Sequence, residues 1–258
     1  MGTLRLCTWN VQLGRHLELL LETIATEKDF ANLDVLALQE ASEHSHEQDA
    51  AAIARKLGDN YCHYQVTTQH FRGRPQANAL VWDSRRLSNA RSAQLGLPLL
   101  GDPAGLPRFE GWLLKMLAPQ RRGAIVLEAS LAEETRIRVY SVHADVFGFA
   151  HRLRQLGAVL SDHAGRSEVG MALIAADLNT FSIGSRPSWQ ALQLAASAAG
   201  FKDVTRQVRW THEVRRLRLR QKLDFVFATD RLALAYRAWT LPSRASDHLP
   251  LFAELRWP

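Results

Sequence analysis

Hydrophobic and polar positions along this chain follow two periods. Nine runs are apolar with β-branched or aromatic members: "LRLCTWNV", "DVLALQE", "YCHYQVTTQ", "NALVWD", "AIVLEASL", "RIRVYSVHA", "MALIAADL", "LDFVFAT" and "LPLFAEL". Their length and composition predict strands. Between them, "HLELLLETIATEKDFANL", "EQDAAAIARKLGD", "HRLRQLGAVLSDHAG" and "SWQALQLAASAAG" repeat apolar positions at about 3.6 residues and predict helices. The stretch from about Gly96 to Gly123 is rich in Pro and Gly and predicts no definite element. Strands outnumber helices and are too many for one simple sheet. The expectation is an α/β fold in which two sheets pack together with helices outside. No repeat or low-complexity linker interrupts the pattern, so residues 1–258 are read as one domain.

The strand ends carry unusual residues. "CTWN" stops at Asn10, "LALQE" at Glu40 and "VYSVH" at His143, while "LIAADLN" ends with Asp177 and Asn179. "LDFVF" begins beside Asp224. The last strand, "LPLFAEL", is entered through Ser246, Asp247 and His248. Each residue has a plainer reading. Ser and Asp open turns, Asn10 can cap the helix near His16, and Asp177 and Asn179 can cap the helix that follows. His143 can be a satisfied core histidine, and Asp224 can pair with Lys222 or Arg220. Six strand ends acquiring such residues by accident is the less economical account, because polar groups at the ends of buried strands are how a rigid scaffold presents a site.

The composition bounds the chemistry. Carboxylates and amides without a Cys or clustered-His set suit a hard cation, Mg²⁺ or Mn²⁺. Separate histidines suit proton transfer or charge stabilisation. No Walker A or G-x-S-x-G stretch exists. No run of about 18 apolar residues is long enough to span a membrane. Cys7 and Cys62 form no CxxC pair, so a reduced, cytoplasmic protein is expected.

The net charge of +6 permits a polyanionic partner. Only five of the 32 basic residues are Lys, which is ascribed to GC-rich coding, so local clustering matters more than the average. The segment 206–222, "RQVRWTHEVRRLRLRQK", holds seven basic residues and one acid. It is read either as an exposed hairpin with its leucines inward, or as a wall for a phosphodiester backbone with Trp210, Arg216 and Arg218 in contact. "HFRGR" (70–74) could extend that wall, and His44 with His46 form a weak metal-pair pattern in a solvated acidic loop.

The ordered set "TWN", "LQE", "SVH", "ADLN", "KLDFVF" and "SDHLPL" resembles the endonuclease/exonuclease/phosphatase superfamily over residues 6 to 255. The resemblance implies a DNase I-like, four-layer αββα fold: a two-layer β-sandwich of mixed sheets flanked by helices. It implies metal-dependent hydrolysis of a phosphoester by an activated water. Glu40 would be the main metal carboxylate, helped by Asn10 and by Asp247. Asp177 would orient the water, and Asn179 would bind the phosphoryl oxygen. His248, oriented by Asp224 or Asp247, would be a base or charge stabiliser, with His143 as acid or electrostatic clamp. "ANALVW" looks like the family's Gly-Asn-Ala strand and places Asn78 near the substrate. Two departures stand out. Ala176 replaces the usual Gly before D-x-N, and "SV" replaces the frequent "NT" before His143, where a supporting hydrogen bond is expected to be lost. The leading expectation is a monomeric nuclease acting on DNA. The alternative is a phosphatase or phosphodiesterase for a small phosphoester, inositol phosphate or lipid head group. A non-catalytic binding module would have lost site residues, and none is lost.

Overall fold

The strand patterns resolve into two six-stranded sheets. The computed structural model describes residues 2–44, 46–71, 73–101, 106–117, 121–132, 135–166, 169–181 and 187–257. The first sheet runs β15 (Ala235–Thr240), β16 (Leu251–Trp257), β1 (Gly2–Asn10), β2 (Val35–Ala41), β6 (Arg74–Asp83), β5 (Tyr61–Phe71). The second runs β11 (Phe201–Asp203), β14 (Asp224–Thr229), β10 (Met171–Asp177), β9 (Thr135–His143), β8 (Gly123–Ala132), β7 (Ser88–Gly96). Both are mixed: β1 is parallel to β2 and β9 to β10, and the other pairs are antiparallel. Two short ribbons, β3 (Glu43–His44) with β4 (Glu47–Gln48) and β12 (His212–Val214) with β13 (Leu219–Gln221), lie outside the sheets.

Every central strand alternates between two apolar environments, because successive side chains point to opposite faces. Leu4, Leu6, Val35, Ala37, Leu80 and Trp82 of the first sheet meet Ile125, Leu127, Ile137, Val139, Leu173, Ala175, Val226 and Ala228 of the second. These form the layer between the sheets. The intervening positions face helices. Cys7, Trp9, Leu36, Leu38 and Val81 pack under α1 (Leu17–Thr26) and α2 (Asp49–Leu57). Val126, Val142, Ile174, Phe225 and Phe227 pack under α4 (Phe149–Ala164) and α5 (Pro187–Ala198). The result is the expected αββα sandwich. Ala176 joins the helix-facing layer, fully buried. One further helix, α3 (Arg108–Leu117), lies in the stretch that predicted no element.

The alternation explains where the polar strand ends go. Counting by twos along the inner face reaches Asn10 on β1, Asn78 on β6, His143 on β9, Asp177 on β10 and Asp224 on β14. All five therefore point into the seam between the sheets. Just below them, Gln39 donates to Thr8 Oγ1 (3.1 Å) and Ser141 Oγ (3.2 Å), joining β1, β2 and β9 in one buried polar layer. Ser141 Oγ also donates to the Leu38 carbonyl across the seam (3.1 Å). Glu40 has the wrong parity. It is delivered by a bulge: β2 slips against β6 between Leu38 and Ala41, and Glu40 takes a left-handed conformation with φ 52°.

Candidate active site

At the end of the seam, Asp177 is the hub. Its Oδ2 accepts the Asn10 amide at 2.8 Å and lies 3.7 Å from His143 Nε2 and 3.9 Å from His248 Nε2. Its Oδ1 accepts the Asn179 backbone N–H at 2.9 Å, a turn in which Asn179 adopts φ 48°. Burial and the neighbouring Asp224 carboxylate push Asp177 up to about 6, with His248 opposing.

The two histidines are held in opposite ways. His248 Nδ1 is 2.8 Å from Asp224 Oδ2. Burial alone would discharge it, but Asp224, Asp177 and Asp247 outweigh burial and raise it to about 10. His143 lies 2.9 Å from Arg122 Nη1 through its own Nδ1. Burial, with the charges of Arg122 and His248, drives it well below the usual histidine range. Glu40 Oε1 sits 3.8 Å from His143 Nε2. Burial lifts the Glu40 carboxyl above its ordinary value, opposed by Arg122 and His248 and reinforced by Asp247.

The segment Ser246–His248 is both a turn and part of this cluster. Ser246 Oγ donates to the Asn10 carbonyl at 2.7 Å and accepts the His248 N–H at 3.1 Å. Trp9 Nε1 donates to the His248 carbonyl at 3.0 Å. Asp247 takes a hydrogen bond from Gln12 Nε2 at 2.9 Å and lies 3.7 Å from His212 Nε2. Burial opposes ionisation of Asp247, but the His212 hydrogen bond and the charges of His248 and His212 leave its carboxyl below the ordinary range.

Asn10, Glu40, His143, Asp177, Asn179, Asp224, Asp247 and His248 thus meet at one place. Asn78 is buried beside them, with its amide nitrogen engaged by the Gly123 carbonyl at 2.6 Å. The Asn179 amide likewise donates to the Ala144 carbonyl at 2.9 Å. The plainer pairing of Asp224 fails: Lys222 faces Asp203 (3.6 Å) and Arg220 faces Glu213 (3.0 Å). Asn10 does close the Gln12 turn through Oδ1 at 3.0 Å, while its nitrogen serves Asp177. His44 stands 3.6 Å from Asp49 instead of completing a pair with His46. The loss expected at "SV" is met differently, because His143 gains its partner from Arg122.

Trp210 is half-buried. The Arg220 guanidinium lies over its ring at 4.4 Å, and both line a cavity of about 840 Å³ with Arg244 and Leu249. Arg216 and Arg218 are exposed at the tip of the β12–β13 ribbon. Leu217 is 74 % exposed, so the leucines of this ribbon are not an inward face. In "HFRGR", Arg72 lies outside the described residues.

Two neighbours of the site escaped the sequence reading. Arg122 sits in "QRRG", a pattern ordinarily solvated, yet it is only 6 % exposed. His212 is buried between Phe181 and His248, with ring centroids at 5.6 and 4.7 Å. Its place at the start of β12, inside the Arg-rich segment, carried no distinguishing signal.

Glu40, Asn10 and Asp247 offer hard oxygen donors, and the Asp247 charge presses against Glu40. That donor set fits a divalent cation, which relieves the repulsion. Among the described residues, two closer groups also bring ligand atoms together: His212, Asp247 and His248, and Asp177, Asp224 and His248.

Inner strand ends that converge on a carboxylate–histidine–amide cluster bring together oxygen donors for a cation and groups that can move protons, the equipment of a metal-assisted hydrolase. Residues 7–248 match the profile of the Endonuclease/Exonuclease/phosphatase family, and the chain belongs to it. Enzymes of this family hydrolyse phosphoesters and generally use a divalent metal. Three solved structures share the fold. An endonuclease/exonuclease/phosphatase from Bacteroides vulgatus is 16% identical, with each chain fully covered and a TM-score of 0.75. The mannosyl-6-phosphatase of Bacteroides thetaiotaomicron is 13% identical over 98% of this chain and 100% of that one, TM-score 0.68. D. rerio TDP2 complexed with a single-strand DNA product is 14% identical over 99% and 100%, TM-score 0.65.

Proposed function

We propose that this chain is one catalytic domain, a divalent-metal-dependent phosphodiester hydrolase whose substrate is DNA. The observation that carries the chemistry is the Asp177 carboxylate, held by Asn10 and flanked by His143 and His248. In this reading Glu40 holds the cation with Asn10 and Asp247. Mg²⁺ or Mn²⁺ would neutralise charge on the phosphoryl group. Asp177 orients the attacking water and takes its proton. A carboxyl held near 6 is better matched to that task at neutral pH than an ordinary aspartate. Phosphorus gains the water oxygen and loses the leaving ester oxygen. His248, cationic beside Asp224, stabilises the charge that builds up and supplies a proton to the departing oxygen. His143 and the unengaged N–H of the Asn179 amide donate hydrogen bonds to the phosphoryl oxygens.

DNA is favoured because the Trp210–Arg220 cavity and exposed Arg216 and Arg218 flank the strand that begins with Asp224, on a chain of net charge +6. Among the described residues no helix is long and apolar enough to cross a membrane. Cys7 and Cys62 are unpaired, which supports a cytoplasmic setting.

The test pairs supercoiled and single-stranded DNA against simple phosphomonoesters and phosphodiesters, with Mg²⁺ or Mn²⁺, chelator and His248→Ala controls. Cleavage of DNA that vanishes in both controls is the expected result. Turnover of small esters with DNA intact would move the protein to the phosphatase reading. Undiminished activity in His248→Ala would remove His248 from the site.

A further inference from the structure

His143 and His248 flank the same carboxylate, yet their outer nitrogens meet opposite partners. His248 Nδ1 faces an acceptor, the Asp224 carboxylate, at 2.8 Å. His143 Nδ1 faces a donor, Arg122 Nη1, at 2.9 Å. A guanidinium has hydrogens to give and no lone pair to offer. His143 Nδ1 must therefore be the acceptor, which leaves the ring proton on Nε2. That nitrogen is the one turned to the reacting centre, 3.7 Å from Asp177 Oδ2 and 3.8 Å from Glu40 Oε1.

We propose that Arg122 is a positioning residue: it locks His143 as the neutral Nε2–H tautomer and so aims a single N–H at the phosphoryl oxygen. The identity of that oxygen rests on the hydrolase reading, whereas the tautomer does not.

Arg122 is built in rather than draped over the site. The same Nη1 reaches Gln76 Oε1 at 3.4 Å, and Gln76 is in turn bonded by Gln69. Gln69 also accepts the Arg121 N–H at 2.9 Å, and Asn78 pins the Gly123 carbonyl at 2.6 Å, so the peptides on both sides of Arg122 are tied to the β5–β6 pair. Its charge is met electrostatically by Asp145, Glu40 and Asp177, and Asp145 is 1 % exposed. Arg122 is the donor set against His143 Nδ1, and its removal takes away the bond that selects the Nε2–H tautomer. Two like side chains then lose their separate duties, since adjacent titratable groups divide acid and donor roles only when their surroundings differ.

The test is nitrogen-15 NMR of histidine-labelled protein, without substrate or metal, on the wild type, Arg122→Met and Arg122→Lys. In the wild type His143 is expected to show a bare Nδ1 and a protonated Nε2, with His248 protonated on both nitrogens at neutral pH. Arg122→Met should scramble the His143 pattern and lower kcat on a phosphodiester about tenfold to a hundredfold with KM nearly unchanged. Arg122→Lys, which keeps a donor, should restore the tautomer and part of kcat. A proton on His143 Nδ1 in the wild type, or an unchanged tautomer and rate in Arg122→Met, overturns the proposal. If Arg122→Met does not fold, the wild-type and Arg122→Lys spectra decide. Because the spectra need no substrate, absent turnover would count against the hydrolase reading alone.

Discussion

Replacing Asp224 by Asn is expected to remove the main charge that keeps His248 an imidazolium and to let its pKa fall from about 10 toward the ordinary 6.5. If His248 acts as a cation, the alkaline limb of the kcat profile should move down with it. A kcat loss of about two to four orders of magnitude at pH 8 is expected, measured on the same phosphodiester. The linkage to stability follows from the same group. A histidine raised in the folded state stabilises fully below about 6.5 and loses that contribution as pH rises through about 10. The thermal midpoint of the metal-free protein should therefore drop between pH 7 and 11, and the drop should be blunted in His248→Asn. Asp177, raised to about 6, acts in a lower window: its contribution is present below about 3.8 and lost as pH rises through 6. At this scale the sequence was informative where the residue sits in a motif, as with "ADLN" or "SDH". It was silent on Arg122 and His212, whose burial is decided by chain segments far away.

Among the elements, the buried layer of Thr8, Gln39 and Ser141 fixes how the strands register under the site. Gln39→Leu preserves bulk but strands the hydroxyls of Thr8 and Ser141 without their amide partner. It should cost about 1–3 kcal/mol in denaturant unfolding, with activity falling further than stability alone accounts for. Strand β2 also shows the limit of pattern reading. "LALQE" announces a strand, and Glu40 was recognised, but period-2 counting assigns it to the helix-facing side. The bulge at φ 52° that turns it back cannot be read from alternation. Central strands were legible because both faces are buried. The edge strands β7 and β15 were not, since "SNARSAQLG" and "AYRAWT" are largely solvated and offer no apolar repeat. Helix α3 was hidden among Pro and Gly for the same reason: its apolar residues Phe109, Trp112 and Met116 are exposed.

For the molecule as a whole, the charge balance yields a salt test. If the β12–β13 ribbon holds a phosphodiester backbone, the logarithm of DNA affinity should fall linearly with the logarithm of salt. Reversing Arg216 and Arg218 to Glu should flatten that slope by about one to two units. A slope near zero in the wild type would speak for a small substrate instead. Fold and site were readable together because the site is an extension of the core alternation; substrate was not, because the ribbon and cavity around Trp210 and Arg220 belong to loops that the core pattern does not constrain.

Trp9, early in the chain, grips the carbonyl of His248, and β1 pairs directly with β16. Translation makes these partners in order, so Asn10, Glu40, Asp177 and Asp224 all emerge before the segment that seats His248. A chain broken between Asp224 and Ser246 would keep Asn10, Glu40, Asp177 and Asp224 yet lack both the imidazole that pairs with Asp224 and the strand that closes against β1.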